Sequence, residues 1–282
     1  GSLRTDYELI EHDLEIVRQT PNFYILSNGD EVDGFIVNHK FATGTYEDIV
    51  DPTIQALIFK KSFEELDQAG KLIGMSFGNH NQWSYYAGID WNDTWLRDFS
   101  TPVLSGGGKL SIKLGEQEYV LAMTHRYWGH SKFNPSNAAK RYLEHEYPEA
   151  EIIFLAHTHV AVMENFQRPS GVEKLAVIGG TYKVDDLYAR QAGIGGRGQR
   201  GGITIMFYPN EHKFKGFYNI DDAAAFSGGE RGLGNLSCPL FGVCLELLAS
   251  AYPLPHIFFK VVMWLRLPDR TFVPKAVLAS SG

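Results

Sequence analysis

Apolar and polar positions alternate with two different periods along this chain. Leu9, Ile10, Leu14, Ile16 and Val17 recur at helical spacing up to Pro21, which predicts an amphipathic helix over residues 6–19. Phe23-Tyr24-Ile25-Leu26 is then a short apolar run closing on Ser27-Asn28-Gly29-Asp30, the pattern of a buried strand that hands an aspartate to a loop. Ile54, Leu57, Ile58 and Leu66 predict one apolar face of a second helix over 52–69. Strands follow over 71–77, ending in Gly78-Asn79-His80, and over 119–123, ending in Thr124-His125. After a helix over 136–146, a strand over 151–155 ends in Ala156-His157-Thr158-His159. Further strands are expected over 173–178 and 202–208, the latter paired with 213–219.

Helices alternating with apolar strands predict a layered α/β architecture. In open α/β sheets ligands sit at the carboxyl ends of the strands. Here successive strand ends carry Asp30, Asn79, His125 and the pair His157 and His159. Two close divalent cations can clamp a phosphoryl group, and they need hard oxygen ligands, neutral imidazoles and a bridging carboxylate. These strand ends supply those ligand types. Each piece alone has a plainer reading: Gly-Asp as a turn, Asn-His as a surface loop, His-x-His as two core or surface side chains. Their order along one chain, each at a strand end, points to a metal centre.

Composition narrows the picture. The chain has 282 residues, 44% hydrophobic and 21% charged, enough for a sizeable core. A formal net charge of −7 argues against a duplex-DNA binder, which usually presents a basic face. Cys238 and Cys244 do not form paired C-x-x-C motifs, so neither a thiolate zinc site nor a disulfide framework is expected, and a reduced, cytoplasmic setting is. The N-terminal residues lack an apolar h-region and no run reaches about 18 apolar residues, so neither a signal peptide nor a transmembrane helix is expected. After Phe226 the composition changes. Residues 227–232 read as a linker, and 236–267 are apolar with few charges. The expected division is a domain over 1–226 and a tail over 227–282. That tail reads as an element packed on the core, a segment foreign to the domain, or a membrane-interface contact through Ile257, Phe258, Phe259 and Trp264.

Gly29-Asp30-Glu31-Val32-Asp33, Gly78-Asn79-His80, His125 and Ala156-His157-Thr158-His159 together resemble the pattern of calcineurin-like metallophosphoesterases, which runs D-x-H, G-D-x-x-D, G-N-H-[DE], H, G-H-x-H. The resemblance spans residues 1–220, and Gly179 to Lys183 and Gly193 to Gly202 are similar to segments of phage-encoded and bacterial members. It implies a four-layer α/β/β/α sandwich and hydrolysis of phosphate esters, chiefly phosphodiesters, by a metal-bound hydroxide, with nucleotides or nucleic acid among the substrates. It implies one or two divalent ions (Mn, Zn, Fe or Ni). Asp30 would bridge them, Asn79, His125 and His157 would complete one site, and His159 would belong to the other. His80 would stay off the metal and act near the scissile bond, with Asp33 supporting the site. The chain departs from the pattern in lacking D-x-H, which removes an Asp and a His from the site of His159. His12 and Asp13 lie mid-helix and read as structural rather than as substitutes. Asn81 stands where an acidic residue often follows Gly-Asn-His, and Ala156 replaces a glycine. A catalytically weakened, metal-binding relic is therefore an alternative outcome.

A second class of function competes. Gly74-Met75-Ser76-Phe77-Gly78 matches G-x-S-x-G, the nucleophile elbow of serine carboxylesterases. The Gly-Asn-His-Asn-Gln segment that follows is a poor helix start, which speaks against an elbow. Among peripheral residues, Arg190, Arg197 and Arg200 read as phosphate contacts or as solvated loop arginines. His130 reads as a pocket residue or a loop histidine. Tyr85, Tyr86, Trp91 and Trp95 read as an aromatic wall or as core.

Overall fold

The computed structural model describes residues 4–35, 45, 48–80, 85, 96–168, 171–184 and 200–230, and the backbone of three later strands. The first helix, α1, runs Tyr7–Gln19, and the Asp6 side chain caps it by accepting from the Leu9 N–H. Glu8 in its first turn and Arg18 in its last complement the helix dipole. Helix α2, Pro52–Gln68, opens on Asp51, which accepts from the Thr53 and Ile54 N–H groups, with proline in the first turn. The expected face of α2 was misassigned: Ile54, Leu57 and Ile58 are exposed, and the buried stripe is Gln55, Ala56, Phe59, Phe63 and Leu66. The two phenylalanines bury more apolar area than the isoleucines would, so the helix turns that side inward. Helix α3 spans Asn137–His145, and α4 spans Ile220–Glu230, reaching into the start of the stretch expected to be a linker.

Strands β1 (Phe23–Ser27), β2 (Leu72–Ser76) and β3 (Val103–Leu104) are parallel neighbours. Strands β4 (Gly108–Leu114), β5 (Gln117–Met123), β6 (Ile152–Leu155), β7 (Val162–Gln167) and β8 (Glu173–Ile178) build a second sheet in the order β4-β5-β6-β8-β7. Within it β5, β6 and β8 are parallel, while β4 and β7 are antiparallel edges. The edge strands β4 and β7 carry no expectation from the sequence, although Leu110, Ile112 and Leu114 alternate at period 2 in β4; β7 is partly buried and its apolar pattern is weak. Strands β9 (Ile203–Phe207) and β10 (Phe214–Phe217) pair antiparallel, as expected. In the tail, β11 (Val243–Glu246) and β13 (Phe272–Lys275) pair with each other, and β12 (Val262–Arg266) enters the first sheet. The first sheet therefore reads β10-β9-β12-β1-β2-β3, with β12 antiparallel to β1 and parallel to β9.

The period-2 alternation of β1 sorts its side chains between two cores. Phe23 and Ile25 join Leu14, Val17, Phe59, Phe63 and Leu66 beneath α1 and α2. Tyr24 and Leu26 turn the other way, into a core shared with Leu110, Ile112, Leu121, Phe154 and Val177 of the second sheet. A third cluster packs α3, through Ala139, Tyr142 and Leu143, on Ile153, Ala176 and Ile178. The chain is thus a mixed α/β structure with several sheets and, among the described residues, four helices. The carboxyl ends of β1, β2, β5 and β6 converge on one side.

Candidate metal centre

Asp30 leaves the end of β1 through Gly29, and both residues have positive φ, 85° at Gly29 and 68° at Asp30. Among the described residues, the non-glycine positions with positive φ are Asp30, His157 and His159. Left-handed backbone is disfavoured for such residues, and strain of this kind concentrates at functional sites. Here it falls on three residues that the sequence singles out as metal ligands.

The loop carrying Asp30 is held from α2. The buried Gln55 carboxamide accepts from the Asp33 N–H at 2.7 Å and the Gly34 N–H at 3.4 Å, and donates to the Val50 carbonyl at 2.9 Å. Asp33 itself is buried and pairs with Lys183 Nζ at 2.5 Å. Burial opposes the charge on Asp33, yet Lys183 beside it holds its carboxyl well below the usual carboxylate range. Neither Gln55 nor Lys183 was given a role from sequence; a glutamine on a helix and a lysine after a glycine pair carry no local signal of such partners.

His80 and His125 are both buried. His80 Nδ1 donates to the Asp33 carbonyl at 2.5 Å, which turns Nε2 toward Asp30 Oδ2 at 3.6 Å. His125 Nδ1 donates to the Asn28 carbonyl at 3.1 Å, and its Nε2 lies 3.1 Å from Asn79 Oδ1 and 3.8 Å from Asp30 Oδ1. The His157 ring stands 5.3 Å from that of His125, centroid to centroid, and 5.9 Å from that of the exposed His130. Burial is the chief cause that lowers the pKa of His80 and His125 far below the ordinary value, and it takes His157 down to about 4, helped by Arg126. His159 is near enough to act on His80, His125 and His157 electrostatically. The imidazoles of His80, His125 and His157 are therefore neutral at pH 7, the state in which they can ligate a cation.

The proton count at His125 is informative. A neutral imidazole has one N–H, and the Asn28 carbonyl, an obligate acceptor, takes it. Nε2 then presents a lone pair toward the Asn79 carboxamide, with the Asp30 carboxylate behind. An imidazole lone pair and a carboxylate that converge in a buried site are compatible when a cation lies between them. Two ligands each about 2.1 Å from one ion and at right angles are about 3.0 Å apart, close to the observed separation. The donor set of carboxylate, carboxamide and neutral imidazole thus fits a divalent cation. As they stand, among the described residues, no group of three or more His, Cys, Asp or Glu side chains is gathered closely enough to hold an ion.

A cavity of about 270 Å³ opens onto this cluster, reaching Asp30, His80, His125, His157 and His159 at one end. Its other walls are mostly apolar, with Leu14 of α1, Phe59 and Phe63 of α2, and Phe35.

Ser76 has no exposed surface, and its hydroxyl donates to Asn28 Oδ1 inside the fold, so it does not stand on an exposed elbow. Gly74 is a packing glycine: a Cβ there would lie 2.7 Å from Leu26 Cδ2 and 2.8 Å from Leu110 Cδ1, between the two sheets. His12 pairs with Asp221 at 2.9 Å on the surface, and Asp13 accepts from the Tyr182 hydroxyl at 2.6 Å, so neither joins the cluster. Arg200 pairs with Asp6 at 2.6 Å, and Tyr85 is exposed. Asn81, Tyr86, Trp91, Trp95, Arg190 and Arg197 lie outside the described residues. No protein-family model, curated protein or solved structure matches this chain.

Proposed function

We propose that this chain is a metal-dependent phosphoesterase of the calcineurin-like type, acting on phosphodiesters, with the four-layer α/β/β/α arrangement of that family. The observation that carries the reading is the convergence of three strand ends: the His125 Nε2 lone pair lies 3.1 Å from the Asn79 carboxamide and 3.8 Å from the Asp30 carboxylate, with its proton given to Asn28. The order of packing, with α1 and α2 outside the first sheet, two sheets face to face, and α3 outside the second, supports the fold part of the proposal.

Asp30, Asn79, His125 and His157 would hold one divalent ion, and His159 would contribute to a second with Asp30 shared. Such an ion, when bound, polarises a phosphoryl group and makes water a better nucleophile at neutral pH. The chain's own residues do the remainder. Asp30 and the ligating histidines would fix where the ion sits, and the phosphate would take its place from the ion. His80, neutral and hydrogen-bonded through Nδ1 to the Asp33 carbonyl, can take at Nε2 the proton that the attacking water gives up and return it to the leaving oxygen. The apolar cavity beside the cluster gives the organic part of the ester a place and keeps water from it.

The test is metal content by plasma mass spectrometry together with hydrolysis of bis-p-nitrophenyl phosphate, with manganese and with chelator. Bound metal and chelator-sensitive turnover are expected, both lost in His157→Ala. Wild-type turnover that survives chelation, or His157→Ala with normal metal content and rate, would overturn the assignment.

A further inference from the structure

Asn28 and Ser76 lie outside the proposed ligand set, yet their hydrogen bonds converge on it. Asn28, 1% exposed, ends β1. Its Nδ2 donates across to the opposite sheet, to the Thr124 carbonyl at 2.9 Å and the Phe154 carbonyl at 3.2 Å. Its Oδ1 accepts from Ser76 Oγ at the end of β2, and its main-chain carbonyl accepts from His125 Nδ1. Thr124 immediately precedes His125, and Phe154 lies three residues before His157. One carboxamide thus ties the ends of β1, β2, β5 and β6, the four strands that deliver Asp30, Asn79, His125 and His157. Every polar group of that carboxamide is used. An Asp at this position would set a carboxylate against two carbonyls, and an apolar residue would leave Ser76 without its acceptor and both carbonyls without this donor.

We propose that Asn28 and Ser76 are positioning residues, a buried brace that holds His125 with its proton on Nδ1 and its Nε2 turned to the centre. The brace acts through His125 and touches no substrate. Its predicted effect on metal affinity rests on the phosphoesterase reading; its effect on the imidazole does not. It also gives the serine of the G-x-S-x-G match a role as a hydrogen-bond donor between strands.

The experiment uses the full chain with ¹⁵N-labelled histidine and the variants Asn28→Ala, Asn28→Asp and Ser76→Ala. Imidazole ¹⁵N shifts in chelator report the tautomer, calorimetric titration with Mn²⁺ reports affinity, and thermal melts report folding. In the wild type the His125 proton is expected on Nδ1. Both Asn28 variants should mix the tautomers and weaken Mn²⁺ binding about 10–100-fold, the loss typical when a partner of a ligand is removed. Ser76→Ala should shift both readouts the same way by less. If Ser76→Ala keeps the wild-type tautomer and Mn²⁺ affinity within twofold, the brace is overturned, whether or not the Asn28 variants fold. A wild type that binds no Mn²⁺ yet loses its tautomer in the variants would sink the phosphoesterase reading and uphold the brace.

Discussion

His125 Nε2 and Asn79 Oδ1 stand 3.1 Å apart, one carried from the second sheet and one from the first. Since the His125 proton is committed to Asn28, its Nε2 lone pair faces that carboxamide across the gap between sheets. Mn²⁺ should therefore stabilise the protein. Free ion at about a hundred times Kd adds roughly 2.7 kcal/mol, which in a chain of this size raises Tm by roughly 4–5 °C. The shift should vanish in Asn79→Ala and His125→Ala, and stay intact in His12→Ala, whose partner is a surface aspartate. Differential scanning calorimetry with and without Mn²⁺ checks this.

Lys183 pairs with the buried Asp33 beside His80. Lys183→Met leaves that carboxylate uncompensated and should cost about 3–5 kcal/mol, most of which Asp33→Asn in the same chain should restore. The pH dependence has a definite sign. Because the folded pKa of Asp33 is lowered, its contribution is complete above the ordinary carboxylate pKa of about 4 and fades as pH falls through the folded value. Urea melts from pH 7 down to pH 3 should show this acid-side loss in the wild type and a flatter profile in the double variant.

Asp13 behaves in the opposite sense. Burial pushes its carboxyl up to about 6 despite the Tyr182 hydroxyl bond. The folded state then binds more protons than the unfolded one between pH 4 and 6, so this group's contribution falls as pH rises through that window. Asp13→Asn, whose carboxamide oxygen still accepts from Tyr182, should be as stable as the wild type near pH 4 and more stable at pH 8. Chemical denaturation at both values is the measurement.

β12 occupies an interior place in the first sheet, with five residues registered against β1 and four against β9. Deleting residues 243–282 would expose two strand edges in the middle of that sheet. Loss of cooperative unfolding and of amide protection in β1 is the expected result. A truncated chain with the same melting behaviour as the full one would show that β12 contributes nothing to the fold.

Much of this was legible locally. Asp6 and Asp51 cap α1 and α2 through bonds to residues two or three positions away, and the apolar runs of β1, β2 and β6 are buried along their whole length, so neighbouring residues encode both. The strand-end residues Asp30, Asn79, His125 and His157 are legible for the same reason: each follows its apolar run directly, and parallel strands bring such ends to one side of a sheet.

What tertiary structure decided lies at long range. Which side of α2 faces inward depended on the volume offered by Val17, Leu72 and Met75, so Phe59 and Phe63 went in while Ile54 and Leu57 stayed out. Gly74 and Ser76 look alike to a serine-elbow motif and to a packed strand, and only the neighbours Leu26, Leu110 and Asn28 distinguish them. Asn28 reaches carbonyls 96 and 126 residues away, and Lys183 finds its partner at Asp33 on a different part of the chain. A polar residue's partner across two sheets leaves no trace in the periodicity of its own strand, because hydrogen bonding there is set by where the backbones meet.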